Sequence, residues 1–186
     1  MEIGVWFPVT AGPIYIGHKS PARQSERNIT CLVDLEPFGQ PAFFEQLVVV
    51  PGEAGVFVVQ CIPFVAFGFS LGDEVAVNPE VMVERVVRRK GNRTLRVLLA
   101  PSVDDAMAET FRTEVERRAS GLGLLFEWNS WGNVAIDVPV GTSNEQIASV
   151  IEFIAGYVDR GLAFWEWSEA IPFEPPVNGW PGAPLV

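Results

Sequence analysis

A few residues have the types and spacing that chemistry would need. Gly68-Phe69-Ser70-Leu71-Gly72 is a G-x-S-x-G string, which in a nucleophile elbow joins a strand to a helix, with acid and histidine downstream. Here a β-branched stretch follows, and the only histidine, His18, stands upstream. A serine without a base in hydrogen-bond reach is inert, so the string reads as a tight turn whose glycines take positive φ. His18 alone makes neither a metal site nor a dyad and reads as a loop histidine. Glu127, Asp137 and Glu166 are predicted on one sheet face, where carboxylates bind a cation or supply acid–base pairs. Arg96, on the central strand next to Asp137, more simply neutralises them. Trp131, flanked by Asn129 and Asn133 in a hairpin tip, is placed to anchor a partner; the alternative is a ring folded over a helix end. No catalytic set, metal set, phosphate loop or dinucleotide fingerprint emerges. No cofactor is expected.

The elements that position these residues are legible from periodicity. Residues 1–93 read as a β-rich subdomain, a small, strongly bent sheet or partial barrel. Its strands are Ile29–Val33, Gln46–Val50, Gly55–Val59, Asp73–Val77 and Val83–Val87, with a hairpin turn at Pro51–Gly55. Ile14-Tyr15-Ile16 is one short apolar stretch in an otherwise loop-like start. Residues 94–167 then show helical spacing twice. Met107, Phe111 and Val115 recur at i, i+4 and i+8 after Ser102, with Asp105 at capping-box distance and Gly121 as the stop. Ile147, Val150, Ile151, Ile154 and Val158 follow Ser143 and Gln146, another capping box, and Gly161 closes that run.

Four short strands surround the helices: Thr94–Leu99, Leu124–Trp128, Val134–Val138 and Ala163–Trp167. The order βαββαβ implies an antiparallel sheet with both helices on one face, a ferredoxin-like sandwich, and the chain as a whole is α+β. Period two sends Leu95, Val97, Leu124, Phe126, Val134, Ile136, Trp165 and Trp167 toward the helices. The opposite face receives Arg96, Leu98, Leu125, Glu127, Ala135, Asp137, Phe164 and Glu166, covered in part by the amino-terminal sheet. Residues 168–186, with five prolines, read as an extended strap that Phe173 and Trp180 would dock.

Composition narrows the function classes. A net charge of −10 argues against nucleic-acid binding, because phosphate neutralisation dominates such affinity. Residues 1–100 carry 9 basic and 10 acidic side chains, whereas residues 101–186 carry 4 and 13. Arg85, Arg88, Arg89, Lys90, Arg93 and Arg96 gather much of the basic charge at a hairpin end, where it keeps that tip solvated. No apolar run approaches the roughly 18 residues that span a bilayer, and no secretory signal precedes the first strand. The expectation is a soluble, cytoplasmic protein whose Cys31 and Cys61 are buried thiols.

Two strings carry a family likeness. Val56–Val75, through Gln60-Cys61-Ile62-Pro63-Phe64-Val65-Ala66-Phe67-Gly68-Phe69-Ser70-Leu71-Gly72-Asp73, resembles the signature of a bacterial domain-of-unknown-function family, number 4265. There a strand leads to "N-I/V-P-F-F-A-Y-G-L-S-x-G-D-x-V". Arg88–Val97 resembles its "R-x-S-G-H-S-T-L-R-V" segment, and Ala135–Pro139 and Phe164–Trp167 also match, so the resemblance covers about residues 45–167. Cys61 stands for the family's usual Asn, Val65 for its second Phe, Phe67 for its Tyr and Asn92 for its His. The resemblance implies no established activity; such proteins are suspected of acting as immunity or accessory factors. The resulting expectation is a non-enzymatic interaction protein that neutralises a toxin. Its partner would be a basic protein drawn to the acidic half, and Trp131, Asn129, Asn133, Glu127, Asp137 and Glu166 would be the contact residues. The rival is a domain binding a small molecule or a cation at the carboxylate face, with weak enzymatic activity as its extension.

Overall fold

In the computed structural model, residues 12–129 and 132–173 are described. β-Branched and aromatic runs broken by Gly and Pro build a first sheet of six strands. They are β1 (Ile14–Gly17), β2 (Ile29–Asp34), β3 (Phe43–Pro51), β4 (Phe57–Val59), β5 (Glu74–Val77) and β6 (Val83–Arg88). The long strand β3 is the spine. It pairs antiparallel with β2 from Ile29↔Val49 to Asp34↔Phe44. Its other edge takes β1, in parallel, at Phe43–Gln46, and β4, antiparallel, at Val49–Pro51.

The Ile14-Tyr15-Ile16 stretch, which composition places in a loop, is therefore a strand. It pairs with the distant β3 and, through the Ile14 N–H, with the Ala42 carbonyl just ahead of it, partners that local pattern does not reveal. β4, β5 and β6 follow in antiparallel order, with register shifts in the last pair. A bridge between Leu32 and Met82 brings β2 back to the approach of β6, so the sheet curls on itself. Inside the curl lie Cys31, Val33, Leu47, Val49, Val59 and Phe69, all buried.

The second sheet contains β7 (Arg93–Leu99), β8 (Phe126–Trp128), β9 (Asn133–Val138) and β10 (Ala163–Trp167) in the order β10-β7-β9-β8, antiparallel throughout. α1 (Asp105–Gly121) and α2 (Ala148–Val158) pack on one face. The architecture is α+β, as the sequence pattern implies. Phe111, Val115 and Ala119 of α1 and Val150, Ile154 and Tyr157 of α2 are buried against Leu95, Val97, Val134 and Ile136. Among the described residues, no helix is long and apolar enough to cross a membrane.

Local details differ from the sequence reading in instructive ways. Asp104, not Ser102, caps α1, its carboxylate accepting from the Met107 N–H at 2.8 Å; a carboxylate there also faces the positive end of the helix dipole. Gly123, at φ +69°, makes the left-handed turn after α1 in place of Gly121. The Ser143/Gln146 box forms, but α2 begins only at Ala148, after an irregular turn. Trp165 is 39% exposed instead of buried, although Ala163 and Trp167 of the same edge strand pack with the helix-covered core.

Candidate functional site

The face of the second sheet opposite the helices carries a cross-strand row fixed by register. Glu166 pairs with Arg96, Arg96 with Ala135, and Ala135 with Glu127. Adjacent strands lie about 4.8 Å apart, so Arg96 and Glu127 are separated by a whole strand that presents only a methyl group. Asp137 lies opposite Thr94, not Arg96. The carboxylates expected to cluster are therefore dispersed, each with its own partner, and among the described residues no group of three or more His, Cys, Asp and Glu could hold a metal ion. The segment 60–72 of the amino-terminal half lies over the middle of this row and, with the stretch after β1, buries it: Ile62, Phe64 and Leu71 pack with Ala135, and Ala22 flanks them.

What pins that segment is a buried bridge that sequence reasoning missed. His18 does not sit in a loop facing solvent: its side chain is fully buried. Its Nδ1 lies 2.6 Å from Glu127 Oε2 and its Nε2 3.2 Å from Glu45 Oε1. A carboxylate only accepts, so both ring nitrogens donate and the ring is an imidazolium. Burial opposes that charge, but neighbouring Cys61, Glu127 and Glu45 outweigh it and hold the His18 pKa well above the ordinary value. Glu45 is likewise completely buried, yet His18 and backbone donors keep its carboxyl below the usual range. The Phe64 ring stacks on the imidazole, centroids 4.5 Å apart.

The net negative charge of this trio is spread over backbone amides. Glu45 accepts from the N–H groups of Phe64 at 2.5 Å, Val65 at 3.1 Å and Ala66 at 2.7 Å. Glu127 Oε1 accepts from Ala22 at 2.8 Å and Ile62 at 2.7 Å. Buried charges persist when they are paired and fully hydrogen-bonded; these are both. Alternation along β3 could have flagged Glu45, since it faces the apolar side between Phe43 and Leu47. The partnership of His18 with acids 27 and 109 positions further along the chain has no local signal.

Cys61 stands beside His18, its sulfur accepting from the Val48 N–H at 3.2 Å. A Cys, a His and a Glu in contact have the composition of a nucleophilic set, but the arrangement opposes that use. The thiol is inaccessible and burial raises its pKa, and an imidazole held at both nitrogens has no lone pair for a proton. Ser70 lacks a histidine: it is buried, its Oγ accepts from Thr94 Oγ1 at 3.2 Å, and the Asp73 carboxylate beside it is engaged by the backbone N–H groups of Ser70 and Lys90. Gly68 and Gly72 take φ of +85° and +87°, the tight turn expected of the G-x-S-x-G string.

The remaining sequence candidates fall in three places. Asp137 is 2% exposed and both its oxygens accept from Asn92 Nδ2, at 2.9 and 3.0 Å; burial pushes its carboxyl up to about 6. With Glu127 also buried, neither acid offers surface to a protein partner. Asn129 and Asn133 are nearly buried as well. Trp131 and Trp180 lie outside the described residues, but Phe173 docks against Phe69 and Phe38. Arg96 and Glu166 border an open cleft.

That cleft, of about 490 Å³, lies between the edge of the second sheet and β1 with the 64–65 segment. Its walls include Ile14, Ile16, Phe64, Val65, Leu98 and Phe164, and among the described residues its only charged lining residues are Arg96 and Glu166. Arg96 is 2% exposed; its Nη1 donates to the Ala66 carbonyl at 3.0 Å and its guanidinium lies over the Phe67 ring at 4.0 Å. Asn133 Nδ2 reaches the Phe64 carbonyl at 3.5 Å, while its buried Oδ1 has no partner.

The segment that lines this cleft and grips the bridge is the one that identifies the chain: residues 45–159 match DUF4265, a domain of unknown function. The chain belongs to that family. Of the positions set against the family's strings above, Cys61 sits at the bridge, Phe67 under Arg96 and Asn92 on Asp137. No curated protein matches the chain. Among solved structures, one described as a novel crystal structure of a hypothetical protein from Neisseria gonorrhoeae is similar in fold. That similarity covers 82% of this chain and 99% of the other, with 14% identity and a TM-score of 0.53.

Proposed function

We propose that this DUF4265 protein is a non-enzymatic binding domain whose cleft holds a small, largely apolar molecule. The cleft itself carries the reading. Its volume is typical of ligand sites, which pair apolar walls with a few orienting polar groups. Here the orienting groups are Arg96 and Asn133, both with buried polar atoms that lack hydrogen-bond partners. Such atoms are costly to leave unpaired, and a bound molecule would relieve that cost. The non-enzymatic character is supported by His18, committed at both nitrogens, and by the burial of Ser70.

The test is thermal denaturation in the presence of decyl and phenylalkyl compounds with varied head groups. A ligand of the folded state raises the melting temperature by an amount that grows with the logarithm of its concentration over Kd. Saturable stabilisation that Phe164→Asp weakens supports the reading; absence of any shift, or a shift indifferent to that substitution, defeats it.

A second reading keeps the protein-partner expectation, on a different surface. The exposed side of the helix layer presents Asp104, Asp105, Glu109, Glu145, Glu152 and Asp159, a field suited to a basic protein such as a toxin. Products of neighbouring genes, co-expressed with this chain, should yield a stoichiometric complex that weakens with salt; failure of every neighbour to bind counts against it. We also read the second unit as ferredoxin-like, on the strength of its βαββαβ order and its outer strands flanking β7 and β9.

A further inference from the structure

We infer that the molecule the cleft takes is an amphipathic monocarboxylate, whose carboxylate displaces that of Glu166 from Arg96. This inference rests on the cleft being a ligand site and adds the chemical class of the ligand.

The guanidinium of Arg96 decides the head group. Its Nη1 is committed to the Ala66 carbonyl. Nε and Nη2 are both buried, and among the described residues neither has a hydrogen-bond partner. Together they form the side-on fork that a carboxylate meets with two parallel bonds. Glu166 Oε1 lies 2.9 Å from Nη2 and supplies charge, but without hydrogen-bond geometry and with Nε left empty. The Glu166 side chain is 49% exposed, so it can swing into water with little loss of solvation. A ligand carboxylate seated on Nε and Nη2 would satisfy both nitrogens and keep the site neutral.

The walls decide the rest of the molecule. Among the described residues they carry no charge apart from Arg96 and Glu166, so a second anionic or cationic group on the ligand would be buried unpaired. Leu98 and Phe164, cross-strand partners that are 45% and 63% exposed, give an aliphatic or aromatic tail an apolar lip to cover. The chemistry points to one carboxylate on an apolar body.

Calorimetric titration of the full chain with decanoate, decanol and decylamine, compounds of one chain length and different heads, tests this. Decanoate should bind about tenfold or more tighter than decanol, the scale of one well-formed charge-assisted pair, and decylamine weakest of all. Glu166→Gln, at an exposed position that folding tolerates, removes the competing anion. It should tighten decanoate about tenfold while leaving decanol unchanged. Equal binding of decanoate and decanol, or indifference of decanoate to Glu166→Gln, overturns the carboxylate inference but leaves the cleft as an apolar ligand site. Binding that Phe164→Asp does not weaken, with native circular dichroism retained, or no binding of any of the three, overturns the cleft reading as well.

Discussion

Replacing Glu45 by Gln is the sharpest probe of the buried bridge. The amide matches the carboxylate in shape but presents one oxygen in place of two. That oxygen can face Val65 and Ala66 or face Phe64 and His18. Whichever way it turns, at least one backbone N–H points at an NH₂ group and goes unpaired, and the imidazolium loses one of its two anions. An unsatisfied buried donor costs about 1–3 kcal/mol, and removing one member of a buried ion pair about 3–5 kcal/mol. The two overlap, so the expected loss is about 3–5 kcal/mol from a total of roughly 5–15 kcal/mol.

Urea unfolding reads this as a lower midpoint at an unchanged m-value. Because His18 is the only histidine, its ring resonance reports the same event directly: its midpoint should lie well above 6.5 in the wild type and fall in Glu45→Gln. The pH dependence follows from the signs. His18 is raised, so its contribution is complete below the unfolded value of about 6.5 and is lost as pH rises through the folded one. Glu45 is lowered, so its contribution is complete above about 4.3 and is lost as pH falls. A loss under about 1 kcal/mol, the range of an ordinary exposed ion pair, or an unmoved His18 midpoint would refute the bridge.

Other substitutions test separate parts of the structure. Asn92→Ala removes the donor to both Asp137 oxygens, so the Asp137 carboxyl should titrate above the present value of about 6; carboxyl carbon chemical shifts against pH measure it, and an unchanged midpoint would show that Asn92 does not hold the acid. Gly68→Ala would place a Cβ 2.0 Å from the Phe173 nitrogen at a φ of +85°. It should free residues 172–173, read as faster proteolysis after Ile171, with a stability loss of about 1–3 kcal/mol from the backbone strain alone. Phe111→Ala empties the middle of the helix-covered core, where the ring meets Tyr157 and Phe153, and should cost about 3–5 kcal/mol in thermal or urea unfolding.

The parts of the fold that were legible from sequence are those governed by local pattern. The stripe Phe111, Val115, Ala119 and the run Val150 to Val158 repeat at helical spacing, so α1, α2 and the alternating strands beneath them could be placed within a few residues. β1 was not legible, because a strand of four residues takes its identity from the partner it pairs with. The site was less legible still. Strand alternation put Arg96, Glu127, Asp137 and Glu166 on one face correctly, but that face was covered by residues 60–72, contributed from another part of the chain. Parity along a strand says which side a residue takes, not what arrives from elsewhere to meet it. His18 shows this most clearly: a lone histidine in a Gly- and Ser-rich stretch has no local mark of burial.

The His18 bridge also bears on what can be inherited or expressed as a unit. The family match begins at Glu45 and contains Glu127, but it does not include His18. A fragment cut to the matched residues would keep both acids and discard the cation between them, along with β1 and β2. The two acids that grip the segment after β4 would then lack the imidazolium that pairs them. The recognisable portion of the chain is thus smaller than its smallest self-sufficient portion, and a minimal expression fragment should start ahead of residue 14.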